Sequence, residues 1–469
     1  MISKALALEV LNAALATGGD YAEIYVEETT PESFMLENGK VESVGSPQGY
    51  GCGLRILNGL RSVYGYTSDL SKKSLLALAE KLSASYEGER KITVEKIGNG
   101  RYKKHSFVET HLRDVPAEEK IDYLREISQI ISGVDPRIVR VQTGLTCAVK
   151  NIDLFVAEGP EATHFHNIEE RSRLFMIAIA AGAEGFETYF NGPGTTAGWE
   201  FFTKTLDYKK LAKETGEKAV MMLTAKECPS GRYTVVIKNG WGGVLFHEAC
   251  GHPLEASSTS KGLSVFSDSI GKPIASPCVS AWDDGTIENE WGTSDIDSEG
   301  VPTQKNELIR DGICVGFMVD RFSARRMDGI KANGTSRRQS YRYCPTSRMS
   351  NTYIAAGKDD PEDIIKDTPL GIYVANFGGG SVNPTTGEFN FSASEAYIIR
   401  DGKICEPVKG CTLIGTGQEV LMQIDRVGND LALGQGNCGA ASGSVPVNVG
   451  QPTIRLKEIT VGGRGGKLE

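Results

Sequence analysis

The 469-residue chain has no run of 18 apolar residues. Its best apolar stretch, Leu174 to Gly182, is too short to cross a bilayer as a helix, so no membrane partner is expected. It has no CxxC pair: ten cysteines are scattered without regular spacing, which reads as reduced thiols in a cytoplasmic protein. Positive charge is in deficit, with 51 Lys and Arg against 60 Asp and Glu, for a net charge of -9. That balance does not suit a protein that lives on the DNA backbone, although a local basic groove is still allowed. Histidine is scarce, at six residues, and Pro is modest at 18 beside 55 Gly. Such a balance favours turns and close backbone approaches over long helices.

What is present is a soluble globular composition, 40% hydrophobic and 24% charged, in a chain long enough for two or three domains. Met1 to Ala16 superficially imitates a signal peptide. Glu9 and Asn12 interrupt its apolar run, so it reads as an amphipathic first helix over 2–17. Short strands are expected at Tyr21–Glu28, Ser33–Glu37, Lys40–Val44, Cys52–Asn58 and Arg61–Tyr66, with hairpins at Asn38-Gly39 and Asn58-Gly59. A helix over Ser68–Ala84, capped by Ser68 or Asp69, closes the unit. A helix at Pro116–Gly133, strands at Ile138–Val149, Ile152–Glu158, Glu161–Glu169 and Arg173–Ala181, and a helix at Leu206–Glu227 repeat the plan. From Pro229 glycine becomes dense and one confident helix remains, at about 242–257. The expected fold class is α+β: helix–antiparallel-strand units followed by a β-rich C-terminal domain. The expected divisions are an N-terminal domain over 1–86, a connector over 87–113, a central domain over 114–227 and a C-terminal domain over 228–469.

The chemistry concentrates in His247-Glu248-Ala249-Cys250-Gly251-His252. This is the zinc-protease pattern HExxH with one extra residue, HExxxH. On a regular helix five residues turn through about 500°, which leaves the two imidazoles roughly 140° apart. They share a metal only if the helix is irregular over 249–252, through a π-bulge or by unwinding near Gly251 and Pro253. Otherwise they are two unrelated histidines at a helix end. A catalytic zinc needs a third protein ligand. Candidates are Glu255, three past His252, another carboxylate, or a cysteine. Cys250 would point elsewhere, and Cys438 lies in the glycine-rich Gly434–Gly443. His164 and His166 share a strand face and form a weaker metal candidate, while His105 and His111 carry no signal.

Two further features have rival readings. Arg325, Arg326, Arg337, Arg338, Arg342 and Arg348, interleaved with Tyr341, Tyr343 and Tyr353, suit nucleic acid, a peptide carboxylate or internal ion pairs. Asp283, Asp284, Asp295, Asp297 and Glu299 stand ready to neutralise them. Asn376-Phe377-Gly378-Gly379-Gly380 lacks the Lys-Ser/Thr of a Walker loop and the βαβ setting of a dinucleotide fingerprint. It reads as a close backbone crossing, or as a strand edge with room for an extended peptide.

Ordered matches then extend across the C-terminal half. They run from Gly242–His252 through Lys261–Ser267, Asp283–Thr286, Gly334–Tyr341, Arg348–Tyr353 and Asn376–Gly380. They continue through Phe391–Tyr397, Val427–Leu431 and Val449–Thr453, with looser agreement at Asp20–Glu23 and the Gly51–Tyr66 hairpin. With these the chain resembles the TldD/PmbA family, on its metal-carrying TldD branch. The resemblance implies a zinc metalloprotease that hydrolyses peptides or unfolded protein segments, with one Zn2+ per chain. By position, His247, His252 and Cys438 would hold the metal and Glu248 would be the general base for a zinc-activated water. It also implies a homodimer, or a heterodimer with a metal-free sister subunit. The family's older description as a modulator of DNA gyrase supplies the alternative: a non-catalytic regulatory module that binds a protein partner or DNA. One departure stands out: Cys438-Gly439-Ala440 replaces the family's Cys-Gly-Lys.

Overall fold

The computed structural model describes residues 1–383 and 386–468. Asn38 and Gly39 both take left-handed backbone angles, φ 47° and 74°, as a tight hairpin requires. They join β1 (Tyr21–Glu37) to β2 (Lys40–Gly45), and the second expected hairpin joins β3 (Gly49–Asn58) to β4 (Arg61–Thr67). The two strands expected within 21–37 are therefore one. Pro31 does not break it, because it falls between the stretch of β1 paired to β3, ending at Thr29, and the stretch paired to β2, starting at Ser33. A missing N–H at that gap costs no ladder bond on that side.

The same merger recurs downstream. Short β5 (Lys96–Asn99) crosses the connector, and the four strands expected over 138–181 are two, β6 (Ile138–Ala157) and β7 (Glu161–Gly182). They pair without a break from Arg140–Ile179 to Val156–Thr163. With β8 (Gly185–Asn191) and β9 (Gly194–Thr195) these strands make one nine-stranded sheet, in which β1 pairs β6 antiparallel. The charged middles of the strands read as turns in sequence. In space they bridge two separate apolar cores. One end of the sheet packs under α1 (Lys4–Ala14) and α2 (Lys72–Ser83) through Leu11, Ile24, Leu75 and Phe155. The other end packs under α3 (Ala117–Ser132) and α4 (Tyr208–Met222) through Leu124, Ile127, Leu145 and Met176. The cap of α2 is Ser71, whose Oγ accepts from the Ser74 amide at 3.3 Å. Asp69 instead accepts from the Ser71 amide and shapes the entering turn.

Among the described residues, the C-terminal half adds an eight-stranded and a six-stranded sheet and a two-stranded ribbon, so the chain is α+β. Gly231–Ile237 runs parallel to Leu370–Val382 and antiparallel to Ile454–Gly462. The hairpin Ala432–Ala440 and Gly443–Gln451 belongs to the six-stranded sheet. The helical segment from Gly240 to Thr259 lies between them, and Phe246, Ala249 and Cys250 join the large core that both sheets share. Close approach is possible because Gly243 lacks a side chain: a Cβ there would sit 2.4 Å from the Gly450 backbone.

The face of the nine-stranded sheet opposite its helices meets the C-terminal half through Tyr21, Leu154, Phe165, Ile296 and Tyr341. Buried ion pairs cross the same boundary, Arg55 to Glu299 at 2.5 Å and Arg338 to Glu23.

Candidate metal centre

The expected single helix over 242–257 is a helix in pieces. A 3-10 turn (Gly240–Gly243) leads into one α turn (Val244–Phe246), then a π turn (His247–Gly251), then a 3-10 turn (His252–Leu254). Glu255 is extended and bridges to Met318 before a last short helix, Ala256–Thr259. The π turn falls on the irregularity that the five-residue spacing demands. It widens the winding so that residues i and i+5 face one way, and the two imidazole centroids stand 5.0 Å apart. Gly251 leaves room for the Met349 side chain, whose Sδ a Cβ there would meet at 2.2 Å.

Cys438 arrives from the hairpin on the neighbouring sheet. Its Sγ lies 3.3 Å from His247 Nε2 and 3.1 Å from His252 Nε2. The hairpin comes this close because Gly434 and Gly436 leave room for the Trp241 ring, which a Cβ at either would meet at 2.9 Å. Among the described residues, these three form the one group of His, Cys and acidic side chains with ligand atoms close enough to share an ion, all within 4.8 Å. A tetrahedral zinc with bonds of about 2.0 Å to N and about 2.3 Å to S separates those atoms by roughly 3.5 Å. The donor set and its spacing therefore fit such an ion with little movement.

The surroundings fix each donor. Burial holds the His247 imidazole well below its ordinary pKa, helped by the nearby His252 and Arg348, so it is neutral, the form that ligates. His252 is partly buried. Burial lowers its pKa, but Glu255 and the Cys438 thiol outweigh that and hold it well above its ordinary value. Glu255 Oε1 stands 3.3 Å from His252 Nδ1, the nitrogen turned away from Cys438. Glu255 thus faces the back of the His252 ring and stands outside the converging trio. Cys250 sits in the core, its thiol pushed well up by burial. Arg348 is fully buried. Its guanidinium donates to the Cys438 carbonyl at 2.6 Å and to the Gly443 carbonyl and Ser442 Oγ across the hairpin turn. It holds the cysteine strand in place through backbone acceptors, which no spacing in the sequence signals. Glu248 Oε2 lies 3.9 Å from His252 Nε2, and burial raises its carboxyl above the usual value.

Outer-shell carboxylates on metal-bound histidine typically tune affinity by about 10–100-fold. Glu255→Gln is accordingly expected to weaken zinc binding by about that factor while the chain stays folded. Competition with a chromogenic chelator reads it, and an unchanged affinity would remove Glu255 from the site.

The remaining candidates have other employment. His164 Nε2 and His166 Nδ1 both approach one oxygen, Asp153 Oδ1, at 2.9 and 3.0 Å, and His164 stacks on Phe155. His111 pairs with Glu170 at 2.6 Å. The arginine run is spent largely inside the protein: Arg325 on Asp20, Arg326 over the Phe322 ring, Arg338 on Glu23 and Arg348 on the Cys438 strand. Tyr341 and Tyr353 are buried and offer no stacking surface. The acidic cluster does not neutralise that run. Asp283 accepts from Ser350 and Thr352, Asp295 from the His105 amide, and Asp297 from the Glu299 and Val301 amides. Gly378 to Gly380 lie in the strand Leu370–Val382, where a Cβ on Gly380 would strike Phe391 at 2.0 Å.

Three family models cover the chain in order: PmbA/TldA metallopeptidase domain 1 over 22–85, the central domain over 110–223 and the C-terminal domain over 230–463. A metalloprotease TldD homolog of Buchnera aphidicola (subsp. Schizaphis graminum) is 36% identical over 455 residues, 95% of this chain and 93% of the relative. A metalloprotease TldD homolog of Haemophilus influenzae is 37% identical over 463 residues, with the same coverage. Among solved structures, TldE from Thermococcus kodakarensis superposes with a TM-score of 0.75 at 17% identity, over 98% of this chain and all of that one. A Bacteroides thetaiotaomicron protein described as a candidate modulator of DNA gyrase superposes with a TM-score of 0.78 at 18% identity, over 99% of this chain and all of that one. At those identities the structures speak for the fold alone. The sequence relatives go further: this chain belongs to the PmbA/TldD metallopeptidase family, on its TldD side, and is a metallopeptidase.

Proposed function

We propose that the chain is a zinc-dependent peptidase acting on peptides or unfolded protein segments, with His247, His252 and Cys438 as the metal ligands and Glu248 as the general base. The convergence of two imidazole nitrogens and one thiol around a single point carries this reading. A thiolate with two imidazoles favours zinc over the harder divalent ions. Bound there, one zinc per chain would supply Lewis acidity toward a scissile carbonyl and lower the pKa of a water. Glu248 takes a proton from the attacking water on its carboxylate and later gives it to the leaving amine. Arg348 and Glu255 act only by holding Cys438 and His252.

The substrate's place is read from the strand Leu370–Val382. Only its residues 372–374 pair with Gly231–Ile237, so among the described residues the stretch from Asn376 to Val382 has one edge without a neighbour. That edge begins beside the metal helix, where Trp241 Nε1 donates to the Phe377 carbonyl at 3.1 Å. An extended peptide added there gains main-chain hydrogen bonds that do not depend on its sequence, which suits unfolded segments. The reading includes a dimer, with a second copy or a metal-free sister subunit, in the cytoplasm. Support comes from Phe186 (71% exposed) and Phe190 (47%) on outer strand β8, and from ten free cysteines. Among the described residues no helix is long and apolar enough to cross a membrane.

Removing metal with a chelator is expected to abolish hydrolysis of an unfolded protein substrate, and one equivalent of zinc to restore it. Mass-spectrometric detection of cleavage products is the readout. Undiminished cleavage in the chelated protein would sink the proposal.

A further inference from the structure

A cavity of about 690 Å³ lies between the polar middles of β1, β6 and β7 and the segment 336–343 of the C-terminal half. Asn437 forms part of its wall. Neighbouring residues on a strand face opposite ways, so this cavity stands behind the Cys438 strand and not on the side of the metal ligands. Part of its lining is apolar, through Ile152, Leu154, Phe165 and Ile296.

Among the described residues, its charged lining contains one buried cation without an ion pair. Arg337 is 8% exposed and, among the described residues, makes one hydrogen bond, Nη1 to the Met349 carbonyl at 2.7 Å, and no ion pair. Burial pushes its pKa down toward about 9, and the cations Arg171 and Arg348 add to that, more than Glu169 and Asp283 restore. The nearest carboxylates are already engaged, Glu169 by Arg171 and Asp283 by Ser350 and Thr352. Beside Arg337, Ser336 Oγ is fully buried with no hydrogen-bond partner, and so are Nε and Nη1 of Arg338. The three residues line the cavity, but Ser336 Oγ and these two Arg338 nitrogens are shut off from it, so the Arg337 guanidinium is the donor that meets it. A buried, unpaired guanidinium surrounded by unused donors is unfavourable unless an acceptor arrives.

We infer that this cavity is a second binding site, for a small molecule that carries an oxyanion on an apolar body. The oxyanion pairs with the Arg337 guanidinium, and the body rests on Ile152, Leu154 and Phe165. The planar guanidinium fork accepts carboxylate and phosphate alike, so the chemistry of the group is fixed while its source is left to the test. The site is distinct from the peptidase centre and does not depend on that activity.

Isothermal titration of the zinc-loaded full chain tests it with three probes: 3-phenylpropionate, phenyl phosphate and the uncharged 3-phenylpropanamide. One or both anions are expected to bind at one per chain and the amide to bind at least tenfold more weakly. Which anion binds identifies the carboxylate or the phosphate as the source. Arg337→Gln is expected to weaken the anion by about tenfold or more, the size of a charge-assisted contact. Ala148→Phe puts a ring into the cavity, leaves Arg337 and the metal ligands in place, and is expected to weaken binding by about tenfold or more; it decides the matter if Arg337→Gln does not fold. Absence of binding by both anions, an amide that binds as well as they do, or unchanged affinity in the variants overturns the inference. The last result would place the probe at the metal centre.

Discussion

Glu248→Gln is expected to leave the zinc content at the wild-type level and to lower peptide hydrolysis by about 10²–10⁴-fold, the usual contribution of a positioned general base. The variant isolates the base from the metal because Glu248 does not belong to the converging trio, although its carboxylate reaches within 3.9 Å of His252 Nε2. Gln keeps the shape of the side chain and removes its ability to accept a proton. The carboxyl stands in a partly buried position without an arginine or lysine ion-pair partner among the described residues, so the substitution strands no counterion. Steady-state rates measured beside elemental analysis of the same preparation read both halves of the expectation. A variant that cleaves at the wild-type rate would remove Glu248 from the mechanism.

Cys438→Ala is expected to do the reverse, losing the metal first and the activity with it. Zinc should fall from about one per chain to near zero in protein purified without added metal, because two imidazoles alone make an incomplete site. The loss in affinity should exceed the roughly 10–100-fold typical of an outer-shell change, and so exceed that of Glu255→Gln. The fold should survive. Arg348 grips the backbone carbonyl of residue 438 and not its thiol, and the Ser442 and Gly443 contacts stay in place. Circular dichroism and elemental mass spectrometry on the variant separate loss of a ligand from loss of structure. A variant that retains one zinc per chain would mean that Cys438 is no ligand.

The sequence made some of this legible and hid the rest for identifiable reasons. The five-residue spacing of His247 and His252 is incompatible with a shared ion on a regular helix, and that arithmetic points to an irregularity over 249–252, a π-bulge or an unwinding; the structure has a π turn at His247–Gly251. Hairpin dipeptides and amphipathic helices placed most of the N-terminal elements. The long strands β6 and β7 look like four in sequence because Lys150, Asn151, Glu169 and Arg171 interrupt their alternation. Lys150, Glu169 and Arg171 face a cavity between two cores, a setting that local periodicity cannot express. Glu255 is visible in sequence as a residue three past His252, but its role as an orienting group depends on which imidazole nitrogen it meets. Arg348 reads as one member of a basic run. Its grip on the Cys438 hairpin joins residues 90 apart through main-chain acceptors, which leave no mark on side-chain spacing.

Zinc K-edge X-ray absorption on the protein as purified reads the donor atoms around the metal. One sulfur scatterer at about 2.3 Å and nitrogen or oxygen scatterers at about 2.0–2.1 Å are expected, with the sulfur lost in Cys438→Ala reconstituted with zinc. A first shell of nitrogen and oxygen alone in the wild-type protein would contradict the ligand set of His247, His252 and Cys438.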